Sequence, residues 1–238
     1  VCVPCQAGGG DPLLMVIEAW PPFRIADTSR ECGYTGIDVD LIQAVSKQLN
    51  RRVEIRRYPW ARCLHMMKTG QADLISGLAF TKERAEYIHY SKIPYYSVSP
   101  AFYMRQGEAH QIKEYSDLYR FTIGYSLGSA YFEPFNSDRN IRKHGAAKEN
   151  LLIKMLSSGR LDVIIGTDAN LAYDIAAQGL ENKLVKTVYR PAHQTDLYIG
   201  VSKSSAFIHH SSQLDEVLVG LVRAGDIDRM AERYFNPH

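Results

Sequence analysis

Two stretches of this chain repeat one pattern. Residues 66–77 read MMKTGQADLISG, and residues 155–166 read MLSSGRLDVIIG. Both spell Met-x-x-x-Gly-x-x-Asp, then an aliphatic residue, Ile, any residue and Gly. Each describes a helix end stopped by Gly, a tight turn and a buried strand. A repeated αβ unit of this kind implies two similar α/β lobes. In open α/β sheets, ligands sit beyond the carboxyl ends of the strands. The segments that follow the repeats, GLAFTKER (77–84) and TDANLAY (167–173), are therefore the first places to look for a site.

The rest of the chain alternates in the same βα manner. LLMVI (13–17) is a strand pattern. Asp38 precedes a helix with Leu41, Val45 and Leu49 on one face and Asn50 at its end. VEIRR (53–57) is a strand, and Trp60 to Thr69 is a helix ended by Gly70. FTIGY (121–125), DVIIG (162–166) and LYIGV (197–201) continue the strand signal, and Gly225 divides two C-terminal helices. This order predicts a largely parallel sheet with helices on both faces.

Composition narrows the function classes. The chain has 238 residues, 45% of them hydrophobic, enough for one sizeable core or two modest ones. Lys plus Arg gives 28 and Asp plus Glu 26, too even a balance for a nucleic-acid partner. The basic cluster Arg51, Arg52, Arg56 and Arg57 surrounds Val53 and Ile55 and reads as a solvated strand face. No apolar run reaches the ~20 residues of a membrane helix. The opening VCVPCQAGGGDP reads as a loose tail, as in a processed secretory protein or a cytosolic one. The four cysteines, Cys2, Cys5, Cys32 and Cys63, allow three pairings. Cys2 and Cys5 have metal or redox spacing but no second Cys/His pair at zinc spacing. The expectation is two disulfides, Cys2–Cys5 and Cys32–Cys63, with no metal and no cofactor. An even count favours an oxidising compartment.

Four stretches together resemble the family 3 extracellular solute-binding proteins, the polar-amino-acid receptors of ABC importers. GIDVDLIQAVSKQL (36–49) is similar to the family's Gly-led signature entering a helix, although Ser46 departs from its usual small apolar residue. SGLAFTKERAEYIHYSKIPYY (76–96) resembles the family's Gly-Met-x-x-Thr-x-x-Arg segment followed by Ser-x-x-Tyr-Tyr. IGYSLGSAYFE (123–133) is similar to the second-lobe loop, and AERYF (231–235) to the family's ending. The resemblance implies a two-lobed, periplasmic-binding-protein-like (type II) clamp with a two-strand hinge, drawn from SPAFYMR (99–105) and LYIGVS (197–202). Lobe one would hold residues 1–104 and 197–238, and lobe two residues 105–196.

The same resemblance implies a site. Arg84 takes the carboxylate-binding position, and a planar guanidinium fork suits a carboxylate leaving water. An Arg there would equally serve a surface salt bridge with Glu83 or Glu86. Backbone amides at Ala79 and Ala130 would add donors. Ser129 would sit at a helix N-terminus that favours an anion. Gly77 would offer its carbonyl to a ligand ammonium, and Glu18 a carboxylate. Trp20 and Trp60 fall where the family sandwiches its ligand, with Phe23 a weaker contributor and Tyr95 read as core. The family's ammonium-binding Asp corresponds to Thr167, and Asp168 comes one residue later. A shift of one residue at a strand end reverses the side chain, so either Thr167 or Asp168 faces the ligand.

The function implied is a monomeric periplasmic or extracellular receptor, its signal peptide removed. It would bind a small carboxylate, an amino acid or a related compound, and hand it to the membrane permease of an ABC importer. Two alternatives share the fold: a cyclohexadienyl-dehydratase-like enzyme using Glu18 or Asp168, and the ligand-sensing module of a signalling system. The chain has no His-Glu-x-x-His, Gly-x-Ser-x-Gly or phosphate-loop motif.

Overall fold

The computed structural model describes residues 11–30 and 32–235. The chain divides into two compact units, residues up to 97 with those from 196 onward, and residues 98–195. The first contains β1 (Leu13–Ile17), β2 (Ile25–Ala26), β3 (Tyr34–Thr35), α1 (Ile37–Leu49), β4 (Val53–Arg57) and α2 (Trp60–Lys68). It continues with β5 (Leu74–Ala79), α3 (Lys82–Ala85), β6 (Ile88–Tyr90) and β7 (Tyr96–Val98). The second is built on β8 (Pro100–Arg105), β9 (Thr122–Ser126), β10 (Arg142–Ala146), α4 (Glu149–Ser157), β11 (Val163–Thr167), α5 (Asp168–Ala177) and β12 (Leu184–Lys186). The chain then completes the first unit with β13 (Thr195–Ser202), α6 (Ser211–Arg223) and α7 (Asp226–Phe235).

The first unit's main sheet runs β4-β1-β5-β13-β6, with β7 also pairing β13. The second unit's runs β10-β9-β11-β8-β12. In each, the first three strands are parallel and the fourth is antiparallel to the third. The expectation of largely parallel sheets is thus corrected at β13 and β8. Neither follows its neighbour through a βα crossover, so nothing in the connection demands parallel entry.

The repeated sequence makes the same joint twice. Gly70 and Gly159 end α2 and α4 with φ of 70° and 75°. Gln71 N–H then donates to Met66 O at 2.9 Å, and Arg160 N–H to Met155 O at 2.8 Å. The motif aspartates also act alike. Asp73 Oδ2 accepts from Leu14 N at 2.7 Å, and Asp162 Oδ2 accepts from Thr122 N at 3.0 Å. Each carboxylate thereby sets the start of the parallel strand beside its own.

Strand alternation builds the second unit's core. Ala101, Tyr103 and Ile164 pack with Leu152, Ile153 and Leu156 of α4 and Leu171 and Ile175 of α5. Phe102, Met104, Val163 and Ile165 face the other way, against Tyr131, Phe132 and Phe135. In this unit that face is covered by an aromatic irregular segment and by Leu118 of the short 3-10 helix Tyr115–Arg120, so here the expectation of helices on both faces is met by α-helices on one face only. In the first unit, Val16, Ile75 and Leu78 pack against Trp60, Cys63, Met66 and Met67 of α2.

Two further expectations change. Cys32 and Cys63 are free thiols, so the Cys32–Cys63 disulfide does not form. Cys63 is sealed in the α2 core, where burial pushes its thiol up to about 12. Cys32 donates to Tyr34 O at 3.1 Å. Cys2 and Cys5 lie outside the described residues. Asp38 does not precede its helix: α1 starts at Ile37, and Gly36 (φ 123°) precedes it because a Cβ there would collide with the Phe23 and Pro22 carbonyls.

The repeated glycines predict unequal costs. Ala at Gly159 meets no atom within 4 Å and incurs only left-handed strain, about 1–2 kcal/mol. Ala at Gly70 has the same strain and also places its Cβ 2.8 Å from Ser204 Cβ. Urea unfolding should rank Gly70→Ala below Gly159→Ala in stability.

Candidate functional site

In the first unit the carboxyl ends of β1 and β5 carry most of the expected residues. Glu18 leaves β1 and accepts from Trp60 N at 2.9 Å, placing its carboxylate on the first amide of α2, where the helix dipole favours an anion. Trp20 stacks on Phe23, with ring centroids 4.4 Å apart. Phe23 is fully buried, and Trp60 is 8% exposed within the α2 core.

Arg24, which sequence reasoning passed over, lies at the centre of this cluster. It is 3% exposed, and its Cζ sits 5.0 Å from the Trp20 ring centroid and 5.8 Å from that of Trp60. Its Nη1 is 3.1 Å from Asp38 Oδ2 and donates to Ser76 O at 2.8 Å. Asp38 is also fully enclosed. Ser76 Oγ donates to its Oδ2 at 2.7 Å, and Tyr95 OH to its Oδ1 at 2.6 Å. Gly77 N–H donates to the Tyr95 hydroxyl at 3.1 Å. Burial raises the Asp38 carboxyl, while Arg24, Tyr95 and Ser76 pull it back down. Gly77 (φ 69°) sits where the β5–β13 register shifts, and an added Cβ would lie 2.8 Å from Arg24 Nη1. Glycine there lets the backbone approach the guanidinium. The only sequence signal for Arg24 was a cation beside WPPF, and its partner Asp38 was read as a helix signal.

Arg84 lies on α3, which Thr81 caps by accepting Arg84 N–H at 3.2 Å. At 6% exposure it is not a surface side chain, so the surface salt-bridge reading does not apply. Its Nη1 donates to Ala79 O at 2.9 Å, and the Tyr90 hydroxyl donates to the same carbonyl at 3.1 Å. Burial pulls the Arg84 guanidinium down, and Tyr90 and Tyr87 oppose this.

In the second unit the expected residues gather at the carboxyl ends of β9 and β11. Gly128 (φ 78°) turns the chain after β9, and Ser129 N–H donates to Ser126 O at 3.0 Å. No helix starts at Ser129 or Ala130, which corrects that expectation; residues 129–132 are irregular and a turn follows over 133–137. Pro134 has no N–H to give a helix and disfavours helical geometry at Glu133. Thr167 ends β11 as the residue preceding α5, and Asp168 opens that helix. Asp168 pairs with Lys186 at 2.6 Å and accepts from Tyr103 OH at 3.2 Å. Lys186 and Tyr103 were not singled out in the sequence, because β8 and β12 meet Asp168 only through sheet pairing. Glu149 at the start of α4 places its carboxylate against Gly166.

The sequence of residues 13–237 matches the family described as bacterial extracellular solute-binding proteins, family 3, and the chain belongs to that family. It is similar to the probable amino-acid-binding protein YxeM of Bacillus subtilis (strain 168), 25% identical over 219 residues, covering 90% of this chain and 80% of that protein. A solved mutant of ArgBP from T. maritima has 23% identity and a TM-score of 0.80, with 94% of both chains covered. A histidine kinase sensor domain with similarity to periplasmic binding proteins has 18% identity and a TM-score of 0.82, covering 94% of this chain and 96% of that one. Both structural likenesses show the fold, the two-lobed α/β type expected above.

Two measurements test this description. Tyr95→Phe strips a donor from Asp38 and an acceptor from Gly77, and is expected to cost about 1–3 kcal/mol in urea unfolding. Asp174 on α5 has its carboxyl pushed up to about 6, chiefly by burial. The folded protein therefore holds that proton more tightly than the unfolded chain, and this group favours folding increasingly as pH falls from about 6 toward 4. Asp174→Asn should raise Tm at pH 7.5, with the gain gone near pH 4.

Proposed function

We propose that this chain is an extracytoplasmic receptor for a small carboxylate, an amino acid or a close relative, which it delivers to the permease of an ABC importer. The family's extracellular designation and the naming of YxeM as an amino-acid-binding protein support the ligand class and the location. The observation that carries the carboxylate is Arg84. Its buried guanidinium lies beyond the carboxyl end of β5, where it donates to the Ala79 carbonyl. An acceptor offering two oxygens is what a planar fork in that setting binds best.

In this reading Arg84 meets the ligand carboxylate, the Ala79 and Ala130 amides and Ser129 add donors, and Asp168 or Thr167 meets whatever ammonium the ligand bears. Phe23 and Trp60, both buried, support the surface from below rather than touch the ligand. Binding without chemical change is favoured over catalysis because the named relative is a binding protein.

A thermal-shift screen of amino acids and organic acids should return a ligand that raises Tm. Arg84→Ala should then weaken it by about two to four orders of magnitude, two charge-assisted hydrogen bonds at roughly 1.5–3 kcal/mol each. Calorimetry showing unchanged affinity in that variant would remove Arg84 from the site.

A further inference from the structure

We propose that Arg24 sets the ligand class by closing the first unit's aromatic cation slot, so that the chain takes carboxylates with a neutral or anionic side group and rejects guanidinium and ammonium side groups. This rests on the carboxylate reading above and narrows it.

Two indoles presented near one point make a receptor for a cation, because each ring face is electron-rich. Here that point is occupied from within. The Arg24 Cζ lies 5.0 Å from the Trp20 centroid and 5.8 Å from the Trp60 centroid. Phe23 also stacks on Trp20 at 4.4 Å with an interplanar angle of 20°. A ligand therefore finds Trp20 already engaged by Arg24 and Phe23, and Trp60 is 8% exposed.

Arg24 is also not free to swing aside. Asp38, its partner at 3.1 Å, is 1% exposed and would be left as a buried anion short of its counter-charge. Arg24 Nη1 holds the Ser76 carbonyl as well, in space that only the missing side chain of Gly77 leaves open. Arg24 Nε has no hydrogen-bond partner among the described residues, so the indole faces supply the remaining stabilisation of the cation. A second cation brought to these rings would face Arg24 at close range with little water to screen the repulsion.

The test uses the full chain with methylguanidinium chloride, L-arginine and L-lysine as probes. Wild-type Tm is expected to respond to none of them beyond an equal concentration of NaCl. Arg24→Ala should lower Tm, and methylguanidinium should restore it where NaCl does not, because the vacated slot keeps Asp38 and both rings. Arg24→Gln, which removes the cation but keeps hydrogen-bond donors for Asp38 and the Ser76 carbonyl, provides the same comparison if the alanine variant does not fold. It should gain a saturable L-arginine-dependent rise in Tm that wild type lacks. Saturable binding of L-arginine or L-lysine to wild type overturns the proposal and leaves the carboxylate reading standing. Restoration no better than NaCl, or no L-arginine response in the glutamine variant, also overturns it. If methylguanidinium restores the variant yet no carboxylate binds wild type, the carboxylate reading falls and Arg24 keeps its place.

Discussion

A carboxylate sealed from water must be met by donors, and Asp38 is met by three. Arg24, Ser76 and Tyr95 converge on it from three separate segments of the first unit. A buried ion pair is poor evidence of net stability, since desolvation can outweigh the attraction. Its consequence is geometric. With Asp38 on the first turn of α1, the segment carrying Trp20, Phe23 and Arg24 cannot shift without stranding a charge. Neither can the carboxyl end of β5 nor Tyr95. The surface that carries the first unit's candidate residues is thus fixed by a network lying beneath it.

The second unit reaches the same sheet order through the same joint. Asp162 and Asp73 do one job, accepting an amide from the adjacent parallel strand, and the Gly-ended helices before them turn alike. Beyond the joint the units diverge. The first continues from β5 to Arg84 through a short capped helix, whereas the second passes from β11 straight into α5 with Asp168 at its start. The repeated sequence therefore carries the fold, and the units differ in the residues just after it.

This division decides how much was legible in the sequence. LLMVI, VEIRR, the Asn50 stop and the Gly225 break were readable because each is set by near neighbours: alternation, a left-handed cap, a glycine turn. The roles of Arg84, Gly77 and Asp168 toward a ligand were implied only by resemblance to a family. What could not be read depends on pairings distant in sequence. Arg24 with Asp38, Tyr95 with Gly77 and Lys186 with Asp168 leave no periodic trace. Cys32 and Cys63 have a spacing that allows a bridge, but burial of Cys63 on α2 against the sheet and the turn at Cys32 decide otherwise. Ser129 was expected at a helix N-terminus through the family resemblance, and Pro134 a few residues on rules it out.

Exposure separates the two internal ion pairs that bear on a ligand. Arg24 and Asp38 have side chains 3% and 0% exposed, so displacing the arginine leaves a buried anion. Lys186 and Asp168 are 36% and 35% exposed. An ion pair this open to water is worth about 0–1 kcal/mol, because water and salt replace most of what the partners offer each other. A ligand ammonium reaching Asp168 gives up little by displacing Lys186, whose own ammonium stays hydrated. The one-residue offset between Thr167 and Asp168 therefore does not argue against an α-amine. In the proposed reading the closed pair would exclude a cationic side group and the open pair would leave an α-amine permitted, two conditions that a non-cationic amino acid satisfies.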